Sequence, residues 1–327
     1  MPGVTRNESI PVTPDADKAA VKTLLNELLE AKQSGKTQTI QDTRDKLNAL
    51  REKLGDEKFK EILNKLREEA SAQFLEFLKQ LLKEWFPDDD DIAPPAPPSP
   101  RGGGGGGRVT PSDFGPRESM SNKETTEGSK YFHYKPDNSS PGKKPDNIWS
   151  GFSQGPDGNC VTVSAIKAAM MRYGQKPTDV FKKVNETSTG YDVTMRDGFK
   201  LSLTKDELRQ AATHARFRGD DPAMMTDANF MYAASAKRAQ MENNDGTAGR
   251  SFMAAMNSLN DGEYSREGLD RLGLRGLYRP ATDADLRRSK VGTVEYGGHS
   301  MAVIDGRIEL WGQRGGVPRS GMATVLI

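Results

Sequence analysis

Residues Ser153–Met170 read SQGPDGNCVTVSAIKAAM. A turn built from Gly, Pro, Asp and Asn runs directly into an apolar segment, where Val163, Ile166 and Ala169 recur at helical spacing. The pattern predicts a helix whose first turn carries Cys160.

Cys160 is the only cysteine of the chain. A helix N-terminus stabilises an anion, so it raises the thiolate fraction of a thiol placed there. Peptide N–H groups at the same end can donate to a developing oxyanion. The alternative interpretation is a small buried apolar residue, because free cysteine is often interior.

A thiolate nucleophile needs a base, and the chain offers three histidines. His133 stands in a polar stretch, and His214 follows a polar helical segment, which favours a surface role for both. His299 opens the apolar sequence HSMAVI directly after Gly297 and Gly298. We therefore predict that His299 lies at the start of a strand and partners Cys160, 139 residues earlier in the chain.

Together these motifs resemble the papain-like cysteine peptidase superfamily. In that superfamily a glutamine six residues before the cysteine supplies an oxyanion donor, and Gln154 stands at that position. The stretch Asp157–Cys160, DGNC, is also similar to the cysteine loop of ovarian-tumour-type deubiquitinases. The resemblance implies a helix carrying Cys160, packed on an antiparallel sheet that carries His299.

The third catalytic residue of the superfamily is usually an Asn or Asp on the strand after the histidine. Asp305-Gly306 predicts a two-residue hairpin turn, which places Gly312 opposite His299. A bulge at Gly312 would bring Gln313 to the histidine, so we predict Gln313 as the orienting residue. Asp305 is about 16 Å from His299 along the strand, which is too far.

Residues 148–327 mix helix-like and strand-like segments, which predicts the α+β class. The resemblance implies that this C-terminal domain is papain-like. Two apolar-alternating segments flank Arg196–Gly198 and predict a hairpin. Thr204 is predicted to cap the helix that follows, with Glu207 completing a capping box.

The N-terminal part divides by composition into three segments. Residues 1–14 are polar and are predicted to be disordered. Residues 15–86 carry leucine stripes at helical spacing, interrupted at Gly35 and Gly55, which predict a small bundle of three helices. Such a bundle either is self-contained, or binds a chaperone, or self-associates. Residues 87–147 contain an acidic run, a proline-rich run and six consecutive glycines, and are predicted to be a disordered linker.

Composition excludes several classes of function. The 47 Lys and Arg residues balance 46 Asp and Glu residues, which argues against nucleic-acid binding. No apolar stretch is long enough to span a membrane. A single cysteine excludes an intramolecular disulfide and any zinc site that needs two thiolates. We predict no cofactor and no metal.

These patterns lead to a functional hypothesis. The chain is predicted to be a thiol hydrolase that cleaves an amide or isopeptide bond in a protein substrate, either a host protein or a ubiquitin-like one. Its Ser/Thr-rich start lacks an apolar signal-peptide core. That start resembles the start of bacterial type III effectors, which implies secretion by that route, a role in virulence and action in a reducing host cytosol. The alternative is a non-enzymatic effector or harpin-like interaction protein.

Overall fold

The computed structural model describes residues 14–86, 114–288, 290–319 and 321–327 of the chain. These residues form two compact units, one within Met1–Ala93 and the other within Pro94–Ile327. Residues 1–13 of the predicted disordered start and residues 87–113, which are less than half of the predicted linker, lie outside the described residues. Pro14, the last residue of the predicted disordered start, is the first residue of a helix.

The N-terminal unit is a helical module. Its helices are α1 (Pro14–Ser34), α2 (Thr37–Leu54), α3 (Asp56–Glu68) and α4 (Ala72–Trp85). The prediction of three helices is wrong for this segment: the third was expected to run unbroken from the cap at Asp56 to Pro87, but the chain breaks at Glu69–Ser71. The break lets Phe59 and Trp85 meet edge-on at 5.3 Å between ring centroids. One straight helix would hold these two positions about 39 Å apart.

The C-terminal unit combines helices with antiparallel strands. Its helices are α5 (Cys160–Tyr173), α6 (Pro177–Val180), α7 (Lys205–Ala215), α8 (Pro222–Met241), α9 (Phe252–Asn260), α10 (Glu267–Arg271) and α11 (Asp283–Arg287). Its strands are β1 (Thr126–Glu127), β2 (Lys183–Glu186), β3 (Gly190–Thr194), β4 (Lys200–Thr204), β5 (Arg218–Gly219), β6 (Tyr278–Ala281), β7 (Gly292–Tyr296), β8 (His299–Ile304), β9 (Arg307–Leu310), β10 (Gln313–Arg314) and β11 (Met322–Leu326).

The largest sheet has six strands in the order β10-β9-β8-β7-β11-β6, and every neighbouring pair is antiparallel. A second sheet, β2-β3-β4, contains the predicted hairpin, with Val193 opposite Leu201. The predicted capping box of Thr204 and Glu207 is present at the start of α7. The mixed α+β class predicted from the sequence is confirmed.

Side chains of β8 alternate between the two faces of the large sheet. Met301 and Val303 join an apolar cluster with Phe114 and Val294 on one face, which we call the apolar face. Ser300 lies on the other face, where α5 packs and the Ser300 hydroxyl is 2.8 Å from that of Ser164. We call this second face the α5 face.

Residues 114–147, which composition assigns to the linker, pack against the C-terminal unit instead. Phe114 belongs to the apolar cluster, and the buried carboxylate of Glu118 accepts from Arg314 Nε at 2.8 Å. The ring of Tyr134 lies 4.2 Å from that of Phe230. The residues that make these contacts are far apart in the sequence, so they produce no helix or strand periodicity. The polar residues between them dominate the composition, and for that reason the sequence predicts a linker.

Candidate functional site

Cys160 is the first residue of α5, as predicted. The turn before it is held by Asn159, a fully buried residue whose Nδ2 donates to the carbonyl of Ala215 at 3.0 Å. The Asn159 carbonyl accepts from the backbone N–H of Val163 and so belongs to the first helical turn. The cysteine is itself half-buried. Its position exposes the sulfur to the positive end of the helix dipole.

Gln154 is buried in the same turn, and its Nε2 donates to the carbonyl of Asp157 at 2.5 Å. Next to it the backbone of Gly155 approaches the carbonyl of Arg216 so closely that a Cβ would lie 1.9 Å from that oxygen. Glycine is therefore required there, and the turn that carries Gln154 is fixed against the C-terminal end of α7. The predicted oxyanion donor is held in place by these two contacts.

β7 and β8 form a two-residue hairpin with Gly297 and Gly298 at its tip, both at positive φ. Such a turn matches the twist of antiparallel strands and needs residues that tolerate positive φ. Tyr296 pairs with His299, and Glu295 pairs with Ser300. The predicted placement of His299 at the start of a strand is confirmed.

The fold brings Cys160 to the start of β8. The backbone N–H of Ser300 lies close enough to the Cys160 sulfur to favour its thiolate. In a two-residue hairpin the pair beyond the closing pair is not hydrogen-bonded across the strands, so the Ser300 N–H points away from β7. Two segments 139 residues apart therefore meet, and the residue that contacts the sulfur is the immediate neighbour of His299.

The ring of His299 itself lies among aromatic side chains. It stacks on Trp311 with 4.2 Å between centroids and 6° between planes, and Phe114 lies 5.5 Å away. Burial lowers the pKa of His299 to about 3. Within the described residues, no hydrogen bond joins the imidazole to the Cys160 sulfur or to a carboxylate. The ring is thus neutral and supported by stacking.

The thiol of Cys160 is also neutral in this arrangement. Burial raises its pKa to about 11, the negative charge of Glu295 adds to the increase, and the Ser300 N–H opposes it. The helix N-terminus alone therefore does not produce a thiolate here. The expectation of an activated thiol is not met by this state of the molecule.

The structure does not bring Gln313 to His299. Val303 pairs with Ile308 and Ile304 with Arg307, which is the register predicted from the Asp305-Gly306 turn. The predicted bulge is replaced by a second tight turn, because Trp311 and Gly312 both adopt positive φ. Gln313 instead begins β10 and pairs with Leu310 of β9. Because β9 lies between β10 and β8, Gln313 is one strand away from His299.

Sequence reasoning missed two residues at the site, Trp311 and Glu295. Trp311 takes the place beside His299 that was predicted for Gln313. Glu295 lies opposite Ser300 on the α5 face, and its Oε2 is buried without a hydrogen-bond partner among the described residues. Strand alternation from His299 across the Gly297-Gly298 turn is a signal that could have found Glu295. Nothing in the sequence predicts positive φ at Trp311.

The other two histidines lie elsewhere. His133 is exposed and lines a surface cavity with Asp137 and Asp227. His214 is in the last turn of α7, where its carbonyl accepts from Asn260. Neither is in the neighbourhood of Cys160 described above.

Comparison with known proteins identifies no relative: no family model, no curated protein and no solved structure matches the chain. None of the helices in the described ranges combines the length and the apolar character that crossing a membrane requires.

Proposed function

We propose that the chain is a papain-like thiol hydrolase in which Cys160 attacks an amide or isopeptide carbonyl of a protein substrate. The observation that carries the proposal is the meeting of Cys160, at the N-terminus of α5, with the first residues of β8. A cysteine that served only to fill the core would not need to lie at the N-terminus of a helix. It would also not need a backbone N–H donor from the strand that begins with His299.

The proposed reaction starts from a neutral thiol and a neutral imidazole. The Cys160 sulfur attacks the carbonyl carbon while its proton passes to His299, and the tetrahedral oxyanion forms. His299 then gives that proton to the departing amine, which leaves an acyl-enzyme. Water hydrolyses the acyl-enzyme by the same two steps. In the described structure the His299 ring packs with Phe114 and Trp311 on the apolar face, whereas Cys160 belongs to the α5 face. The proposed proton transfer therefore requires the His299 side chain to leave this stack and turn toward the sulfur when substrate binds.

Oxyanion stabilisation is assigned to the Cys160 backbone N–H and to Gln154. A glutamine amide nitrogen has two N–H donors, and one of them is used on the Asp157 carbonyl. The second is available to the substrate oxygen. Loss of one such donor typically reduces the rate about 100- to 1000-fold.

We further propose that the protein is a bacterial effector exported by a type III-like route and active in a reducing host cytosol. The support is a single free thiol together with a polar, Ser/Thr-rich N-terminal sequence. The helical module of α1–α4 is proposed to bind a chaperone or a second copy of the chain.

One observation favours a second function, a non-enzymatic interaction protein. The raised pKa of the Cys160 thiol and the lowered pKa of His299 both favour neutral groups, the reverse of a thiolate–imidazolium pair. A protein that only binds a partner has no need for a reactive thiol.

The two functions are separated by turnover of a quenched-fluorescent protein or a peptide library. His299→Ala is compared with His133→Ala, a matched change at an exposed histidine. A hydrolase loses at least 100-fold in kcat/KM with His299→Ala and Cys160→Ala and little with His133→Ala. Absence of turnover over the library, with a folded wild-type protein, supports the interaction protein. If the wild-type protein reacts with ubiquitin-based probes, the proposed hydrolase is a deubiquitinase.

A further inference from the structure

A surface cavity of about 330 Å³ lies in the C-terminal unit, and none of its lining residues belongs to the Cys160 site. Three parts of the chain bound it: α8, the turn between α5 and α6, and the segment that contains residues 133–137. α8 contributes Thr226 and Asp227, and the turn contributes Gln175 and Lys176. Cavities of this volume are large enough to hold a small ligand.

Asp227 is the buried acidic residue of the cavity and is only 8% exposed. Its Oδ2 accepts from Gln175 Nε2 at 3.0 Å, whereas its Oδ1 has no hydrogen-bond partner among the described residues. Burial raises the pKa of Asp227 to about 7, and the Gln175 bond opposes the increase. Asp221 and Asp179 add to the increase, and Lys176 opposes it. A buried carboxylate is costly without an opposite charge, so a cation at this position would stabilise the ionised form.

Lys176 lines the same cavity but is held by other partners. Its Nζ donates to the Asp137 carboxylate at 2.6 Å, to the Ser139 carbonyl at 2.7 Å and to the Ser139 hydroxyl at 3.2 Å. An ammonium group has three N–H donors, so these contacts use all of them. Lys135 also lines the cavity and is exposed, and in the described part of the chain it forms no ion pair with Asp227. The carboxyl of Asp227 therefore lines the cavity without a cation from the described chain bound to it.

The neighbours of Asp227 in the cavity wall offer further hydrogen-bond acceptors. The Gln175 amide nitrogen is used on Asp227, and the amide oxygen has no hydrogen-bond donor among the described residues. Thr226 Oγ1 donates to the Pro222 carbonyl at 2.9 Å, so towards a ligand it can only accept. Among the described residues, three acidic or histidine ligands close enough to share one metal ion occur only around Asp245, which is not in this cavity. The donor set thus suits an ammonium group with several N–H donors rather than a metal ion.

We propose that this cavity binds a primary ammonium group, with Asp227 as the counter-ion and with Gln175 and Thr226 as hydrogen-bond acceptors. The ligand is either a free small amine or the lysine side chain of a peptide, since both present the same group. The bound ammonium takes the place of the proton on Asp227, which is released to solvent. His133 also lines the cavity, but it is exposed and is assigned no contact with the ligand.

The test uses the full chain labelled with ¹⁵N, and follows the side-chain amide signal of Gln175 during titration. The probes are butylamine for a free amine, Nα-acetyl-lysine methylamide for a peptide lysine, and tetramethylammonium, which carries the charge but no N–H donor. We expect a saturable shift with at least one primary amine and none with tetramethylammonium. The primary amine that binds more tightly identifies the source of the ammonium group.

Asp227→Asn removes the charge and keeps the size of the side chain, and it should weaken binding about tenfold or more. Asp146→Asn is the matched control, because Asp146 is exposed and does not line the cavity, and it should bind as the wild type does. Equal affinity in folded Asp227→Asn and in the wild type overturns the proposal. So does the absence of a saturable shift with both primary amines.

A second measurement needs no change at Asp227. Between pH 5.5 and pH 8 both amine probes stay protonated, so the ammonium competes with the proton on Asp227. The affinity should rise by up to about tenfold per pH unit below pH 7 and level off above it. An affinity that does not change with pH overturns the proposal, and so does a pH dependence that disappears in His133→Ala. None of these readouts involves Cys160, so they separate this inference from the proposed hydrolase.

Discussion

The two faces of the β7-β8-β9 part of the sheet are built by different physics. On the apolar face, Phe114, His299 and Trp311 pack ring against ring beside Met301 and Val303. The α5 face is held by polar pairs: the Ser164–Ser300 hydroxyls, and a Lys167–Glu309 ion pair at 3.0 Å. Cys160 belongs to the second face. Apolar packing thus fixes the imidazole, whereas polar pairs fix the helix that carries the sulfur.

The largest effect is expected from the ion pair of the α5 face. Lys167 is fully buried, contacts Glu309, and donates to the carbonyls of Ile148 and Trp149 at 2.8 Å each. Glu309→Gln leaves the Lys167 ammonium without a counter-charge, and it should lower the free energy of unfolding by about 3–5 kcal/mol. Urea unfolding measures the change.

The matched control for Glu309→Gln is the double variant Lys167→Met with Glu309→Leu. It removes both charges and should recover most of the lost stability, since apolar replacements of a buried pair are often neutral. A loss below about 1 kcal/mol in Glu309→Gln would show that the α5 face does not depend on this pair.

The apolar face should lose stability in acid through His299. Burial lowers its folded-state pKa to about 3, whereas the ordinary value is 6.5. Its contribution is complete above pH 6.5 and is lost as pH falls, because the unfolded chain takes up a proton that the folded chain refuses. The expected slope is about 1.4 kcal/mol per pH unit, or about 3 kcal/mol by pH 4.

Urea unfolding from pH 7 to pH 4 checks this slope, with His299→Gln as the comparison. The variant removes the titrating ring, so its free energy of unfolding should fall less between pH 7 and pH 4 than that of the wild type. Parallel limbs in the two proteins would mean that the imidazole is hydrated in the folded state, and that the stacking on Trp311 does not seal it.

The α5 face should lose stability at the opposite end of the pH scale. The folded-state pKa of Cys160 is raised to about 11 from 9.0. Its contribution is complete below pH 9 and is lost as pH rises toward 11, because only the unfolded thiol ionises there. The expected loss is about 3 kcal/mol in total. Cys160→Ala should remove this alkaline limb, and its persistence in the variant would assign it to other groups.

Much of the fold followed from local signals in the sequence. Gly297-Gly298 and Asp305-Gly306 fixed both hairpins around β8, and the turn before Cys160 fixed the start of α5. Each signal acts over fewer than about ten residues, which is the range in which turn chemistry and capping operate. The class and the position of the two motifs were predictable for that reason.

The composition of the site was less predictable, because it depends on tertiary contacts. Phe114 reaches His299 from a segment with linker-like composition, and Trp311 does so only because it adopts positive φ. The shifts in the pKa of Cys160 and His299 come chiefly from burial, which no local pattern specifies. The helix dipole predicted a larger thiolate fraction for Cys160, but burial keeps the thiol neutral in the fold.

The smallest effect is expected at the hydroxyl pair that joins α5 to β8. Ser164 Oγ donates to the carbonyl of Val161 at 3.1 Å, so the Ser300 hydroxyl is the donor in the 2.8 Å contact between the two serines. Ser164→Ala leaves the Ser300 hydroxyl buried and unpaired, which should cost about 1–2 kcal/mol of unfolding free energy. Ser300→Ala should cost less, since Ser164 keeps its bond to Val161. The double variant should be no worse than Ser164→Ala alone, which a thermodynamic cycle measured by urea unfolding would report as a coupling of about 1 kcal/mol. Additive single effects would show that the two hydroxyls act independently, and that α5 is held on β8 by the ion pair and apolar burial alone.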